Sequence, residues 1–600
     1  MITLTKSIVL CLSLLGYAIF IRKKIKSIFE FIPISLFCSI ILLMYIAGLL
    51  NILLFMICAI VIVGTLLFFY YMFSPKNRIK KEELKTYITI NNIIFISIIV
   101  FFALWFRNVP LLSYDNFSHW ATIVKDMQMN NRLPNFSSGI IFFPAYPPGS
   151  ALFIYFINKL IGFSDGRMLF VQFILIISSL FCLFAFCKPR NSEKENNKTE
   201  LIKRIIITLL ITLSTIYFLN GPTGIYGLLV DTLVLTLGVA GLIIVIYYKD
   251  EIVKAVILST PVFCATILVK NSGIFYVLIA LVYLLYLLIK KKEKKGKMAV
   301  LVAFILPIIF FTLWQQHVKL VFPKDATESK HAMTLVNYEK VFSEKSDKDI
   351  SNITHAFVNK TINVNENTSV QKMLYWNIGT ILLYILLRLL KRKEKNLILS
   401  LIFVDIIFSL YLMGLYAMYL FSMPEGEALV LASYGRYLGM ITLYLEAILL
   451  INLVIVIQKH DTPKKSISIC LVLLGLFLFF FFSNITGIRS VFARPEYAGS
   501  RRQQIERAFE YKNNKFSYLV YAPRSANDLG YLHYFLRYFL WEKEPNIVFK
   551  INSDKEFYVK LKSCDYLVII DEDENIKKFM KNHSDKEGTV GTYSVKQMLH

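Results

Sequence analysis

The sequence lacks the marks of a disulfide-bonded, metal-binding or nucleotide-phosphate-binding protein. Its eight cysteines, Cys11, Cys38, Cys58, Cys182, Cys187, Cys264, Cys470 and Cys564, show neither the paired spacing of a disulfide framework nor that of a metal site. Seven fall in apolar runs and Cys564 at the edge of a strand-like run, so they read as small core residues. There is no internal repeat, no low-complexity linker, and no groove of interleaved aromatic and basic residues that would suggest nucleic acid. A signal peptide is also missing: the first apolar run, 8–21, precedes Arg22, Lys23 and Lys24, the reverse of the required charge order. That run reads as a retained helix with its N-terminus outward.

What the sequence has is apolar length. It is 56% hydrophobic with a mean hydropathy of +0.56, above the usual composition of soluble chains. Runs of roughly 20 apolar residues, enough to cross a bilayer as helices, recur along most of it. Continuous Ile, Leu and Phe runs exclude the alternating pattern of a barrel. The expectation is a polytopic α-helical membrane protein with about 14 transmembrane helices, near 4–21, 28–47, 50–73, 87–106, 167–187, 205–220, 231–248, 252–269, 273–289, 298–316, 373–390, 397–421, 437–457 and 467–487. The 66 Lys and Arg against 41 Asp and Glu, a net +25, cluster in the loops 22–27, 74–86, 188–204, 290–297, 388–395 and 458–466. One orientation puts all of these inside, so the positive-inside rule accounts for the charge without nucleic acid.

That orientation decides the short apolar run 149–163. If it spanned, the cations of 188–204 would fall outside, so it reads as an interfacial or re-entrant helix. The outer face then receives 107–166, 221–231, 317–372, 422–436 and the tail from 488. The tail alternates strand-like runs (517–521, 546–549, 566–570) with helix-like runs (526–541, 574–582), the pattern of a small extracytoplasmic α/β domain. No Gly-rich phosphate loop follows its strands, and the acidic run Asp571 to Glu574 reads as a solvated turn. Three units result: N-terminal helices 1–85, a transmembrane domain 86–487 with external loops 107–166 and 317–372, and the α/β domain 488–600.

Candidate chemistry gathers at outer helix ends. Tyr114, Asp115, His119 and Trp120 follow the fourth helix, and Tyr146, Pro147 and Pro148 follow in the same loop. A carboxyl group at such a boundary can acquire a raised pKa suited to a base; the alternative is a solvated acid beside an aromatic belt. Asp231 opens a helix and by itself would serve as a dipole partner. Lys270 lies between two outer helix ends, either as an outer-loop cation or as a phosphate partner. Glu425 and Glu427 lie in a Pro-Glu-Gly-Glu step. Arg436, between Tyr434 and Tyr437, suits bidentate phosphate binding, with a snorkelling helix-end arginine as the alternative. His317, His331 and His355 lack metal spacing and read as solvated, and His460 and Asp461 belong to an inner loop. Asp405 and Glu446, inside helices, are expected to pair within the bundle.

The order of an acid at an early outer helix end (Asp115), an external segment closing on Tyr146-Pro147-Pro148, and a Gly166-Arg167 step before a full helix resembles the GT-C superfamily of membrane glycosyltransferases. The resemblance covers 85–490, with its motifs concentrated in 114–167. It implies Asp115 as the catalytic or substrate-orienting carboxylate, with Asp231 as the second-loop acid. The implied donor is a polyprenyl-phosphate-linked sugar held by Arg436 and Lys270. The acceptor is an envelope glycan, lipid or protein, and the termini and active site are extracytoplasmic. Substrate-binding candidates are Asp231, Lys270, Arg436, His119, Tyr114, Tyr146, Glu425 and Glu427. Because Asn116 replaces the second member of a paired-acid motif, the use of a divalent metal stays open. A polysaccharide polymerase or ligase is disfavoured because 317–372 contains no arginine. A lipid-linked glycan flippase is disfavoured because the polar residues sit at helix ends.

Overall fold

A computed structural model of the chain describes residues 2–598 except 81–82, 84–86, 188–197, 292–293, 324–334, 364–366, 390–393, 460–473, 476, 479–480, 483, 511 and 514. His331, His460, Asp461, Cys470, most of the expected helix 467–487 and parts of the cationic loops fall outside the described residues.

The described chain is mainly helical, and eleven helices are long and apolar enough to cross a membrane: Leu4–Ile25, Phe29–Leu49, Leu53–Phe73, Asp165–Cys187, Glu200–Leu219, Ile252–Val269, Asn271–Lys291, Gly296–Val321, Thr368–Leu389, Lys395–Phe421 and Tyr434–Val456. Each matches an expected span. Ile90–Trp105 and Asp231–Tyr247 are shorter apolar helices of 16 and 17 residues. Their ends nevertheless meet the ends of the long helices. Asn91 donates to Glu30 (2.8 Å) and to the Phe184 carbonyl (3.2 Å), while Trp105 donates to the Tyr226 hydroxyl at the opposite end (2.7 Å).

Among the described residues, the turns that follow the first, third and Ile274–Lys291 helices lie toward one end of the bundle. Lys23 donates to the Asn77 carbonyl, the Tyr248 hydroxyl accepts from the Ile28 N–H, Lys291 pairs with Asp250, and Asn452 donates to the Asn396 carbonyl. At the other end the outer segments meet: Asn116 bonds Leu228, Lys270 bonds Asp231, Lys345 bonds the carbonyls of Leu420 and Met423, and Arg502 and Arg537 of the C-terminal domain bond the carbonyls of Leu111 and Gly139.

Two close approaches fix the packing. A Cβ on Gly16 would lie 1.9 Å from the Gly64 carbonyl oxygen, and one on Gly64 would lie 2.1 Å from Ser13 Oγ. Small residues therefore let the first and third helices pair backbone to backbone, tied by Ser13 and Tyr17 hydroxyls on the Ile60 carbonyl. A Cβ on Gly166 would fall 1.9 Å from the Phe106 carbonyl oxygen, so the Gly-Arg step lets the Asp165 helix abut the end of the Ile90–Trp105 helix.

Some sequence expectations change. Of the two readings of 149–163, the interfacial one is set aside, because Gly149 to Asn158 of the short Gly149–Ile161 helix are all buried, whereas a short re-entrant helix agrees with that burial. The segment 317–372 is not a plain loop. Its described part continues the preceding helix to Val321, then forms Leu335–Ser343 and Asp347–Ile362, the latter opened by a Ser346–Asp349 capping box. His317 is stacked on Trp314 and lies 3.2 Å from the Pro134 carbonyl, so it is packed rather than solvated, whereas His355 is exposed.

The C-terminal domain is an α/β sheet of order β2-β1-β3-β4, with β1 (Tyr518–Tyr521), β2 (Asn546–Val548), β3 (Tyr566–Ile569) and β4 (Gly591–Ser594). β1 pairs in parallel with β2 and β3, and β4 runs antiparallel to β3. The two-residue period of β1 splits its side chains. Leu519 and Tyr521 enter a small core with Phe557, Leu561 and Phe579, while Tyr518 and Val520 join Leu532 and Phe535 in the main core of the molecule. The Tyr531–Leu540 helix is thus held between the sheet and the membrane-bundle end. The acidic turn is solvated only in part: Asp571 is buried and takes two 2.7 Å bonds from Arg501, Asp573 caps the Glu574–His583 helix and accepts from Tyr521, and Glu574 is exposed.

Replacing Gly64 by leucine is expected to destabilise the fold toward the upper end of the 1–3 kcal/mol typical of overpacking, about 3 kcal/mol. A detergent melting curve unchanged from wild type would contradict the backbone-to-backbone pairing.

Candidate functional site

The site is built from four stretches far apart in sequence. After the Ile90–Trp105 helix the chain turns into a single π-helical turn, Asn116–Trp120, with Asp115 at its start. Such turns, one residue wider than α, recur at functional sites. Asn116 fastens this turn to the second outer loop, its Oδ1 accepting the Leu228 N–H at 2.8 Å. That loop leads into Asp231, the first residue of its helix, which is fully buried. Lys270, at the junction of the Ile252–Val269 and Ile274–Lys291 helices, reaches across to Asp231 Oδ1 at 2.6 Å. Arg436 enters from the first turn of the Tyr434–Lys459 helix.

These charges act on one another. Burial raises the Asp115 carboxyl above the ordinary carboxylate range; Arg436 and Lys270 pull it down, and the negative Asp231 pushes it up. Burial pushes the Tyr146 hydroxyl up to about 12, with Tyr437, Asp231 and Asp115 adding to the rise and Arg436 opposing it. Asp115, Asp231, Lys270, Arg436, Tyr146 and Tyr437 therefore lie close enough to act on one another.

Several buried polar atoms of these residues and their chain neighbours lack hydrogen-bond partners: Asp231 Oδ2, Arg436 Nε, Asn116 Nδ2 and Asn271 Oδ1. Native structures rarely leave such atoms unpaired, so each is open to a water, an ion or a ligand. Of the two tyrosines flanking Arg436, only Tyr437 meets it, its ring centroid 5.2 Å away and its hydroxyl 3.4 Å from the guanidinium. Tyr434 instead bonds Thr361 and Asn367.

The remaining candidates divide. His119 is buried against Trp120, Phe143 and Tyr146, both ring nitrogens lack partners, and burial brings its pKa down to about 3, so it is a neutral ring in the wall behind Tyr146. Tyr114 points to the C-terminal domain and meets Tyr534 edge-on at 5.3 Å. Lys270 is not a free cation, since Asp231 neutralises it. Glu425 is exposed and acts on Lys345, away from the cluster, and Glu427 sits in the same five-residue helix. Among the described residues no group of three or more His, Cys, Asp or Glu is placed to hold a metal ion.

Sequence reasoning missed the grip of the C-terminal domain on this site. Phe117, two residues from Asp115 and buried, sits among Tyr531 (5.8 Å), Phe535 (4.9 Å) and Tyr538 (5.3 Å) of one helix. Arg502 lies over Phe117 and Phe535 and pairs with Asp165 at 2.5 Å, also donating to the Leu111 carbonyl. Arg537 donates to the Gly139 carbonyl. The only signal in the sequence was the aromatic density of 531–541.

Asp231→Asn is expected to cost about 3 kcal/mol of stability by leaving Lys270 without its counter-charge, the low end for a broken buried pair because Lys270 keeps some contact with water. The double variant with Lys270→Met should recover most of that loss in a detergent melt; additive losses would contradict the coupling. No family model matches the sequence, and no curated protein matches it.

Proposed function

We propose that this chain is a GT-C-like membrane glycosyltransferase that moves a sugar from a polyprenyl-phosphate-linked donor to an envelope glycan, lipid or protein acceptor. The observation that carries this reading is the convergence of Asp115, Asp231, Lys270 and Arg436, with unpaired buried polar atoms among them, at the end of an apolar bundle. A ligand with a charged head and an apolar tail fits such a place. The positive-inside rule, applied to the cationic loops of the sequence, supports an outer-face site with both termini outside. The two shorter helices, whose ends meet the same two faces, complete the crossings together with the helix expected at 467–487.

In this reaction the acceptor hydroxyl attacks the anomeric carbon, forming the new glycosidic bond as the bond to the phosphate oxygen breaks. The hydroxyl proton passes to the Asp115 carboxylate, and the electron pair leaves on the phosphate. Arg436, whose Nε is free to donate, stabilises the charge gathering there. Lys270 acts through Asp231, whose Oδ1 it holds at 2.6 Å. Direct displacement inverts the anomeric configuration.

Asp115→Asn should lower sugar transfer by about 10²–10⁴-fold with normal membrane insertion. Transfer of labelled sugar at the wild-type rate would remove Asp115 from the role. Because Asp115 works ionised and its pKa is raised, transfer should fall as pH drops through a value above the usual carboxylate range, about 3.9. Arg436→Ala, which removes a lowering influence on Asp115, should shift that acid limb to higher pH and weaken donor binding. An unmoved limb with unchanged donor KM would exclude Arg436 from the site.

A further inference from the structure

The C-terminal domain carries a cleft of about 610 Å³ between the loop after β1 and the strand β2, lined by Asn527, Asp528, His533, Pro545, Ile547 and Phe549 among others. Two familiar occupants of an α/β sheet are excluded by its geometry. The crevice between the carboxyl ends of β1 and β3, where strand order reverses, is closed by Arg501, which bonds both Asp571 oxygens and the Ser525 hydroxyl. The N-terminus of the Tyr531–Leu540 helix, which could hold a phosphate, is filled by Asp528, whose carboxylate accepts the Gly530 N–H at 3.0 Å and the Leu532 N–H at 3.1 Å. No lysine or arginine lines the cleft. What remains is rings, an amide and a carboxylate around an open trough, with Phe549 39% exposed.

The cleft is joined to the charged cluster by a row of rings. Tyr114, adjacent to Asp115, meets Tyr534 at 5.3 Å; Tyr534 meets Phe142 at 5.3 Å; Phe142 meets His533, in the cleft wall, at 6.3 Å. Tyr114 also feels the charges of both Asp115 and Asp528. One face of Phe142 is taken by the Arg537 guanidinium at 3.6 Å. The rings of the row, with the Asn527 amide and the Asp528 carboxylate in the cleft, match a saccharide, which offers apolar ring faces for stacking and hydroxyls for hydrogen bonding. We propose that this cleft and the ring row leading to Tyr114 form a binding track for an uncharged or N-acetylated saccharide chain, presenting its end to Asp115. The identification of that chain as the acceptor rests on the transferase reading; the saccharide site itself does not.

The test is binding of the full-length protein in detergent to linear oligosaccharides, neutral, N-acetylated and uronic, followed by calorimetry or fluorescence. Wild type should bind a neutral or N-acetylated chain. Phe549→Ala and His533→Ala should each weaken it at least about tenfold, the size of a hot-spot residue. Asn527→Ala, on an exposed loop where folding is not at stake, should weaken it in the same direction. Absence of binding by the wild type, binding of uronic chains alone, or binding unchanged in all three variants overturns the proposal. Cleft-dependent saccharide binding combined with undiminished sugar transfer by Asp115→Asn would uphold the cleft while refuting the transferase role of Asp115.

Discussion

A charge within a bundle this apolar must find a partner or reach water, and that constraint orders the chain from end to end. Among the described residues, the cationic turns lie toward one end. Inside, Glu446 is met by the Trp376 indole at 3.0 Å and the Tyr217 hydroxyl at 3.1 Å, and Asp405 by the Asn377 amide at 3.0 Å. Both acids pair within the bundle, as expected of acids in helices. Lys345 is buried under three carbonyls, those of Val341, Leu420 and Met423, which ties the outer helices of 335–362 to the exposed carbonyls ending the Lys395–Phe421 helix. At the other end Lys270 meets Asp231 through Oδ1. Against this background Arg436 is conspicuous: it is brought into the same region with its Nε buried and unpaired.

Much of the membrane part was legible because hydropathy measures the quantity the bilayer selects. The eleven long helices follow from apolar run length alone. What escaped was determined by partners rather than by composition. Gly149–Ile161 has the length of a surface helix, and only the surrounding helices make it a buried one. The outer helix Asp347–Ile362 is polar along most of its length, yet its Ser346-x-x-Asp349 step was a visible start signal in a segment treated as a loop. In the C-terminal domain the three hydrophobic strands were readable, while β4, Gly591-Thr592-Tyr593-Ser594, is too polar to stand out and exists by pairing with β3. The helix expected from 526 begins at Tyr531, because Asp528 and the left-handed Gly530 hold the preceding loop.

The candidate site was legible in residue type and not in pairing. An acid, a lysine and an arginine at outer helix ends could be named from position alone, and the structure gathers Asp115, Asp231, Lys270 and Arg436. That Lys270 would be bound to Asp231 required the tertiary arrangement, as did the separation of Glu425 from the cluster. Asn116, read as a departure from a paired-acid motif, turns out to be the residue that clamps the Asp115 turn to the loop preceding Asp231. The socket for Phe117 could not be read at all, because its rings come from a helix near the other end of the chain. The position of Asp115 therefore depends on three separate pieces of chain: its own π-turn, the Asn116 clamp and the aromatic face of the Tyr531–Leu540 helix.

The charge balance of the cluster distinguishes its two cations. With Asp115, Asp231, Lys270 and Arg436 all ionised, the four groups sum to zero. In the proposed reaction Asp115 gains a proton while the phosphate, a singly charged diester before the step, becomes a doubly charged monoester. No net charge is created; one negative charge moves from Asp115 to the phosphate. The cation that stabilises the product side has to be one whose field is not already spent. Lys270, 2.6 Å from a fully buried carboxylate, is largely spent, whereas Arg436 has a buried donor without a partner and a weaker, distributed attraction to both acids. Arginine is also the side chain that meets a phosphate with a fork of donors while remaining protonated throughout. In the proposed reaction the pair and the single cation would thus divide the work: Asp231 and Lys270 would form the walls of the site, and Arg436 would face the charge that moves.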